Sequence, residues 1–274
     1  MGIEAQTPWN WQESTRGITR DFQNFGFRPI GETEMPRRCN GCGVAPPTAS
    51  MTVFAPGVYD PADIRSDRRV SVLDEGDGRF RPAEGADDAV LAWQYADDAW
   101  ATVRGTTSTT SQLDRMLELA RALRPAQRTP IGVPFSLANL PANLPLTEVY
   151  TDHGEYGTTV RFGACGMTDR GAVPTCMTES ERLAVQIWPN AGYQGHIQQH
   201  QTVPVRVGGE EGLYDAAFGE AAVPLDDGSL AVFELSAPNG VTPSIELADV
   251  LAAVEWAPNP GRESTWRAIG EWVK

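Results

Sequence analysis

Lysine is almost missing from this sequence: Lys274 is the only one, so arginine supplies the other 21 of the 22 basic residues. Acidic residues number 36, which leaves a formal charge of -14. Neutralising nucleic-acid phosphates needs clustered Lys and Arg, so the surface as a whole is not that of a nucleic-acid binder. An anionic membrane would repel the chain for the same reason. Arginine in place of lysine, with abundant Ala, Gly, Pro and Asp, reads as GC-rich coding, which bears on source and not on mechanism.

Long apolar runs are also missing. Nothing approaches the roughly 18 consecutive apolar residues that a membrane helix requires. Residues 1–25 have neither a basic head nor an apolar signal core. Met1-Gly2 is followed by Gln6 where myristoylation wants Ser or Thr. The chain is therefore expected to be soluble, with no membrane span: either the native protein is cytoplasmic, or a signal or anchor precedes this segment. Catalytic signatures are missing too. There is no Gly-x-Ser-x-Gly elbow, phosphate loop, dinucleotide fingerprint or paired cysteine and histidine signature, so no catalytic residue and no cofactor is assigned.

Hydrophobic residues make up 41% of the chain and charged residues 21%, which is globular composition. At 274 residues the chain can bury one large core or two modest ones, and we read two. The expected class is α+β: mostly antiparallel sheet with a few short helices, in two sheet-then-helix halves. Residues 1–50 carry turn formers throughout and read as an extended arm packing through Trp9, Trp11, Phe22, Phe25 and Phe27. The first half is expected over 51–145 and the second over 146–274.

In the first half, short alternating runs stand at Met51 to Ala55, Arg69 to Leu73 and Arg79 to Pro82. Leu91 to Ala96 and Ala99 to Val103 flank Asp97-Asp98, and a two-residue turn there would pair Tyr95 with Trp100 and Trp93 with Thr102. A helix follows, with Ser111 and Asp114 as a capping box and Leu113, Met116, Leu117 and Ala120 on one face. Pro125 ends it. In the second half Val203 to Val207, Gly212 to Ala216 and Ser229 to Leu235 read as strands, with turns at Gly208-Gly209 and Asp226-Asp227-Gly228. Thr242 then caps a helix with Pro243 at its first position, burying Leu247, Val250, Leu251 and Val254. A last amphipathic turn, Trp266, Ile269 and Val273, would dock on the sheet.

Four cysteines allow three pairings. The local one, Cys39 with Cys42 and Cys165 with Cys176, is the most economical and implies an oxidising compartment. A zinc site would need four convergent ligands, and the second pair lacks the spacing of a zinc ribbon. A redox Cys-x-x-Cys would start a helix, whereas Gly41, Gly43, Pro46 and Pro47 surround this one.

Several of these residues carry a resemblance. Cys39-Asn-Gly-Cys42-Gly, Ala-Pro56-Gly57, Trp93-Gln-Tyr95-Ala with Ala99-Trp100-Ala, Leu-Arg-Pro125, Val-Pro134-Phe135 and Leu140-Pro141 resemble uncharacterised soluble regions of actinobacterial envelope proteins. The resemblance covers roughly residues 37–149, and the Trp-Gln-Tyr-Ala hairpin is its most specific part. It implies an extracellular or cell-envelope location, and it implies no activity. A curved sheet followed by a helix is similar in architecture to the half-barrel units of lipoprotein carriers and to sensor domains.

Chemistry-bearing groups are sparse. His196 and His200 stand four apart, but glycines and a following strand argue for solvated histidines rather than a metal site. His153 has Asp152, Glu155 and Tyr156 nearby, from which an acid, a base and an orienter can be assembled on paper. The acidic pairs Asp97-Asp98, Glu210-Glu211 and Asp226-Asp227 sit at expected turns, and no metal is assigned. Trp93, Tyr95 and Trp100 would form an apolar or sugar-binding platform if exposed together. The leading expectation is a non-catalytic binding or sensor module of the bacterial cell envelope, receiving a lipid, a peptidoglycan fragment or a protein partner. The alternatives are a hydrolase with loop-borne residues, Asp152 and His153 first among them, and a cytoplasmic interaction or assembly protein.

Overall fold

Runs rich in apolar, β-branched and aromatic residues, such as Ala49–Phe54 and Leu230–Ser236, form strands. The computed structural model describes residues 3–5, 8, 11–19, 21–30, 49–64, 68–73, 77–84, 88–105, 112–125, 132–137, 140, 144–152, 157–163, 165–167, 174–176, 181–188, 202–226, 228–237, 241–260 and 265–268. Most of them lie in antiparallel sheet. Contacts divide the chain into two compact units, Met1–Thr129 and Pro130–Lys274. Among the described residues, no helix is long and apolar enough to cross a membrane.

Unit 1 contains β1 (Ile3–Ala5), β2 (Trp11–Thr19), β3 (Phe22–Pro29), β4 (Ala49–Phe54), β5 (Arg69–Ser71), β6 (Asp77–Arg81), β7 (Ala89–Ala96), β8 (Ala99–Gly105), α1 (Gln112–Arg121) and β9 (Leu123–Pro125). Its main strands are ordered β2-β3-β4-β8-β7-β6-β5, every neighbouring pair antiparallel, and β1 pairs with β9. Residues 11–29, expected as an extended arm, instead form the β2–β3 hairpin. Phe25 and Phe27 alternate inward and are 1% and 0% exposed, so the segment is part of the core. The core of the unit lies on the α1 side, built from Phe25, Met51, Leu91, Trp93 and Val103 with Met116, Leu119 and Ala120 of the helix.

The α1 stripe differs from the expected one. Gln112, Met116, Leu119 and Ala120 are buried, at i, i+4, i+7 and i+8, while Leu113 and Leu117 are only partly buried at its flank. The buried Gln112 side chain donates to the carbonyl of Gly105 at 3.4 Å, which partly offsets the cost of taking an amide out of water. Met116 and Ala120 belong to both stripes, while Gln112 and Leu119 take the buried places expected of Leu113 and Leu117.

Unit 2 contains β10 (Gly132–Val133), β11 (Phe135–Leu137), β12 (Leu146–Asp152), β13 (Gly157–Gly163), β14 (Cys165–Met167), β15 (Pro174–Cys176), β16 (Arg182–Trp188), β17 (Val203–Val207), β18 (Glu210–Asp215), β19 (Glu220–Pro224), β20 (Leu230–Ser236), α2 (Leu247–Ala252), β21 (Val254–Trp256) and β22 (Arg267–Ala268). Its main strands are ordered β12-β13-β16-β20-β19-β18-β17. β11 pairs with β21 and β10 with β22, so residues 132–137 belong here, and the boundary expected near 145 falls inside this unit. Phe135, Phe233 and Trp256 meet at its centre with ring centroids 6.0 to 6.3 Å apart.

The second helix begins later than its proline suggests. The backbone N–H and hydroxyl of Ser244 donate to the Glu181 carboxylate at 2.6 and 2.5 Å, which ties down the chain before the helix. The N-cap is Glu246, so neither Thr242 nor Pro243 opens α2. Leu247, Val250 and Leu251 are buried as expected, but Val254 is the first residue of β21 rather than of the helical stripe. Trp266 precedes β22, and its indole N–H donates to the Pro260 carbonyl at 2.7 Å; Ile269 and Val273 lie outside the described residues.

Candidate functional site

Because successive side chains of a strand point to opposite faces, the α1 side of unit 1 takes one set of residues and the opposite, outer side takes the other. Met51, Val53, Ala101 and Val103 are in the core with α1, so Ser50, Thr52, Phe54, Trp100, Thr102 and Arg104 are on the opposite face, where Thr52, Phe54, Trp100 and Thr102 are themselves buried. Across the strands, one outer row runs Asn24–Thr52–Thr102–Ala92–Arg79–Arg69, and the next runs Ser50–Arg104–Val90–Arg81. Thr52 and Thr102 are 3% and 1% exposed, and the Asn24 amide donates to the Thr52 hydroxyl at 2.9 Å. A buried hydroxyl without a partner costs about 1–3 kcal/mol, so this bond is what allows Thr52 to sit there.

Aromatic rings close one end of that outer face. Phe54 stacks on Tyr59 with centroids 4.7 Å apart, and Tyr59 meets Trp100 at 6.2 Å and a 46° tilt. Phe22 joins from β3, 6.1 Å from Phe54. The loop carrying Tyr59 is held down by Gly57 N–H donating to the Asp98 carbonyl at 2.8 Å, and by Arg79 donating to the Pro61 carbonyl at 3.0 Å. The outer face is thus a short neutral polar row, bounded by buried aromatics on one side and by arginines on the other.

Trp93, Tyr95 and Trp100 do not make the exposed platform considered from the sequence. Trp93 is 0% exposed on the α1 side, whereas Trp100 is 8% exposed on the outer side under Tyr59. The hairpin turn is at Asp97-Asp98, but the pairing is Gln94 with Trp100 and Trp93 with Ala101, with a bulge at Tyr95. Of the described residues of that turn only Asp98 has positive φ, 52°. A type I′ turn that keeps the two strands in step needs it at both central residues, so the ladder takes up an extra residue instead. Tyr95 is half-buried, its hydroxyl donates to the Phe54 carbonyl at 2.7 Å, and burial pushes its pKa up.

Cys39 and Cys42 lie outside the described residues, as do His153, Glu155, Tyr156, His196 and His200. Cys165 and Cys176 are direct register partners across the antiparallel β14–β15 pair. Asp152 ends β12. Asp97, Asp98, Glu210, Glu211 and Asp226 are exposed, at or beside turns. Among the described residues, no group of three or more His, Cys, Asp or Glu side chains is placed to hold a metal ion.

The sequence reading passed over Thr52, Thr102, Arg79, Arg81 and Arg104. Period-2 alternation within each strand was the available signal for which of them share a face, but which strands lie side by side is not written in any one strand. Comparison of the chain with known proteins finds no matching family model, no matching curated protein and no matching solved structure.

Proposed function

We propose that the chain is a non-catalytic binding or sensor module of the bacterial cell envelope, and that unit 1 binds through the sheet face opposite α1. The observation that carries this reading is the composition of that face: a neutral row, Asn24–Thr52–Thr102, whose two threonines are buried, between an aromatic cluster and a group of arginines. Binding sites pair an apolar wall with a few placed polar groups that fix orientation, and this face has both. The envelope location rests on the resemblance and on the local pairing of cysteines; the register of Cys165 with Cys176 is compatible with the second of those pairs.

We also read the chain as two copies of one sheet-then-helix unit. The order β2-β3-β4-β8-β7-β6-β5 and the order β12-β13-β16-β20-β19-β18-β17 are the same when counted from the first strand of each. In both, the helix follows the seventh strand of the run and leads into a short strand, β9 or β21, whose partner, β1 or β11, precedes the run. Duplicated sheets suit a module that presents similar faces with different side chains.

The test is a screen of the full chain against ester, peptide, phosphate and glycoside substrates, with cell fractionation of the native protein. No turnover and recovery with the envelope are expected. Turnover abolished by His153→Ala would replace this reading with the hydrolase one, and recovery in the cytosol would remove the envelope.

A further inference from the structure

We infer that the free edge of unit 2, strand β17, is a self-pairing surface held shut by Pro204, which keeps two copies of this chain from joining edge to edge. Among the described residues β17 pairs only with β18 and stands at the end of the strand order of its unit. Gly208-Gly209 is a two-residue turn, so Val207 and Glu210, which flank it, exchange both backbone hydrogen bonds. Bonded and non-bonded pairs alternate along an antiparallel ladder, so Val205 with Gly212 and Val203 with Tyr214 are bonded as well. The backbone groups of Pro204 and Arg206 therefore point away from β18, out of the sheet edge. Beside the turn the Trp256 indole already donates to the Val207 carbonyl at 3.0 Å, so the open stretch is 203–206.

Such an edge is a template for another strand. Val203, Val205 and Val207 favour the extended backbone, and the side chains of Val203, Pro204 and Arg206 are exposed. Two copies paired antiparallel about Val205 would set position 204 of each against position 206 of the other, a closed two-fold contact of the strand with itself. That self-complementary register is what makes a second copy the occupant. In the pair, the Arg206 N–H of each copy would donate to the Pro204 carbonyl of the other. Proline has no N–H to return, and its ring carbons stand where the hydrogen would be. Within the unit this proline costs no ladder bond, because no described strand lies on that side of β17.

This inference goes beyond the binding-module reading and does not depend on it. The full chain and its variants are compared by sedimentation velocity over a range of concentrations, with circular dichroism melting to show which variants fold. Pro204→Val supplies the missing N–H. We expect it to self-associate at a concentration roughly tenfold or more below any association of the wild type, as two restored hydrogen bonds imply. Pro204→Ala supplies the same N–H without the branched side chain and should associate too, so it carries the test if the valine variant does not fold. Adding Arg206→Pro to Pro204→Val takes the donor away at the other outward position and should restore the wild-type profile. Pro258→Val, at an exposed position outside the strands, should sediment as the wild type does. Wild-type sedimentation by either folded single variant at position 204 overturns the inference. Association that survives in the folded double variant, or that Pro258→Val also shows, places the contact elsewhere and overturns it too.

Discussion

The Tyr95 hydroxyl donates to the backbone carbonyl of Phe54 at 2.7 Å, joining residues 41 apart in the sequence. The bulge that breaks the β7–β8 register at Tyr95 is what goes with this contact. Tyr95→Phe removes the donor and leaves the ring. We expect a loss of about 0.5–1.5 kcal/mol at neutral pH, read by urea unfolding. Burial holds the phenol pKa above its ordinary value, so as pH rises the unfolded chain gives up this proton first. The contribution is complete below about pH 10 and is lost as pH climbs toward the folded value. The wild type should therefore lose stability more steeply than Tyr95→Phe in alkali; parallel curves would contradict the assignment.

Leu119 is 0% exposed, whereas Leu117 sits at the flank of the same helix. Leu119→Ala should cost about 2–5 kcal/mol through lost transfer energy and a residual cavity. Leu117→Ala should cost less, and equal losses in denaturant unfolding would mean that the stripe is misplaced.

Gly208 and Gly209 both have positive φ, 58° and 95°. A Cβ on Gly208 would stand 2.7 Å from the Trp256 indole nitrogen and 2.8 Å from the Val254 carbonyl oxygen, while one on Gly209 meets nothing within 4 Å. Either alanine pays roughly 1–3 kcal/mol for backbone strain. Gly208→Ala should lose more than Gly209→Ala, because it also pushes against the indole that donates to the Val207 carbonyl at 3.0 Å. A larger melting-temperature drop for Gly209→Ala would refute this packing.

After aerobic purification, mass analysis without reductant should show the loss of two hydrogens for a Cys165–Cys176 bridge and two more for Cys39–Cys42. Residues directly opposite on antiparallel strands have backbones close enough to be bridged. Four free thiols would remove both bridges and weaken the envelope proposal.

Much of the strand content was legible from residues alone, because alternation in Val203 to Val207 or Ala99 to Val103 is a local property of period two. The turns at Gly208-Gly209 and Asp97-Asp98 were legible for the same reason: positive φ is a demand on single residues. The hairpin β2–β3 was missed because Gly17 and Gly26 weaken its pattern, and its strands are held by burial of Trp11, Phe25 and Phe27 in a core formed with distant segments.

What residues in sequence determined, then, was that the chain is acidic, rich in sheet and short of helix, and which side chains of each strand share a face. The tertiary structure decided which strands adjoin. Only that order sets Arg104 and Arg81 on either side of Val90, brings Tyr95 to Phe54 and buries Gln112 and Leu119 of α1. The physical reason is that strand neighbours are chosen by the free energy of burying whole faces and satisfying every backbone donor. Those quantities depend on residues far apart in the chain, whereas propensity and alternation depend only on the few that are near.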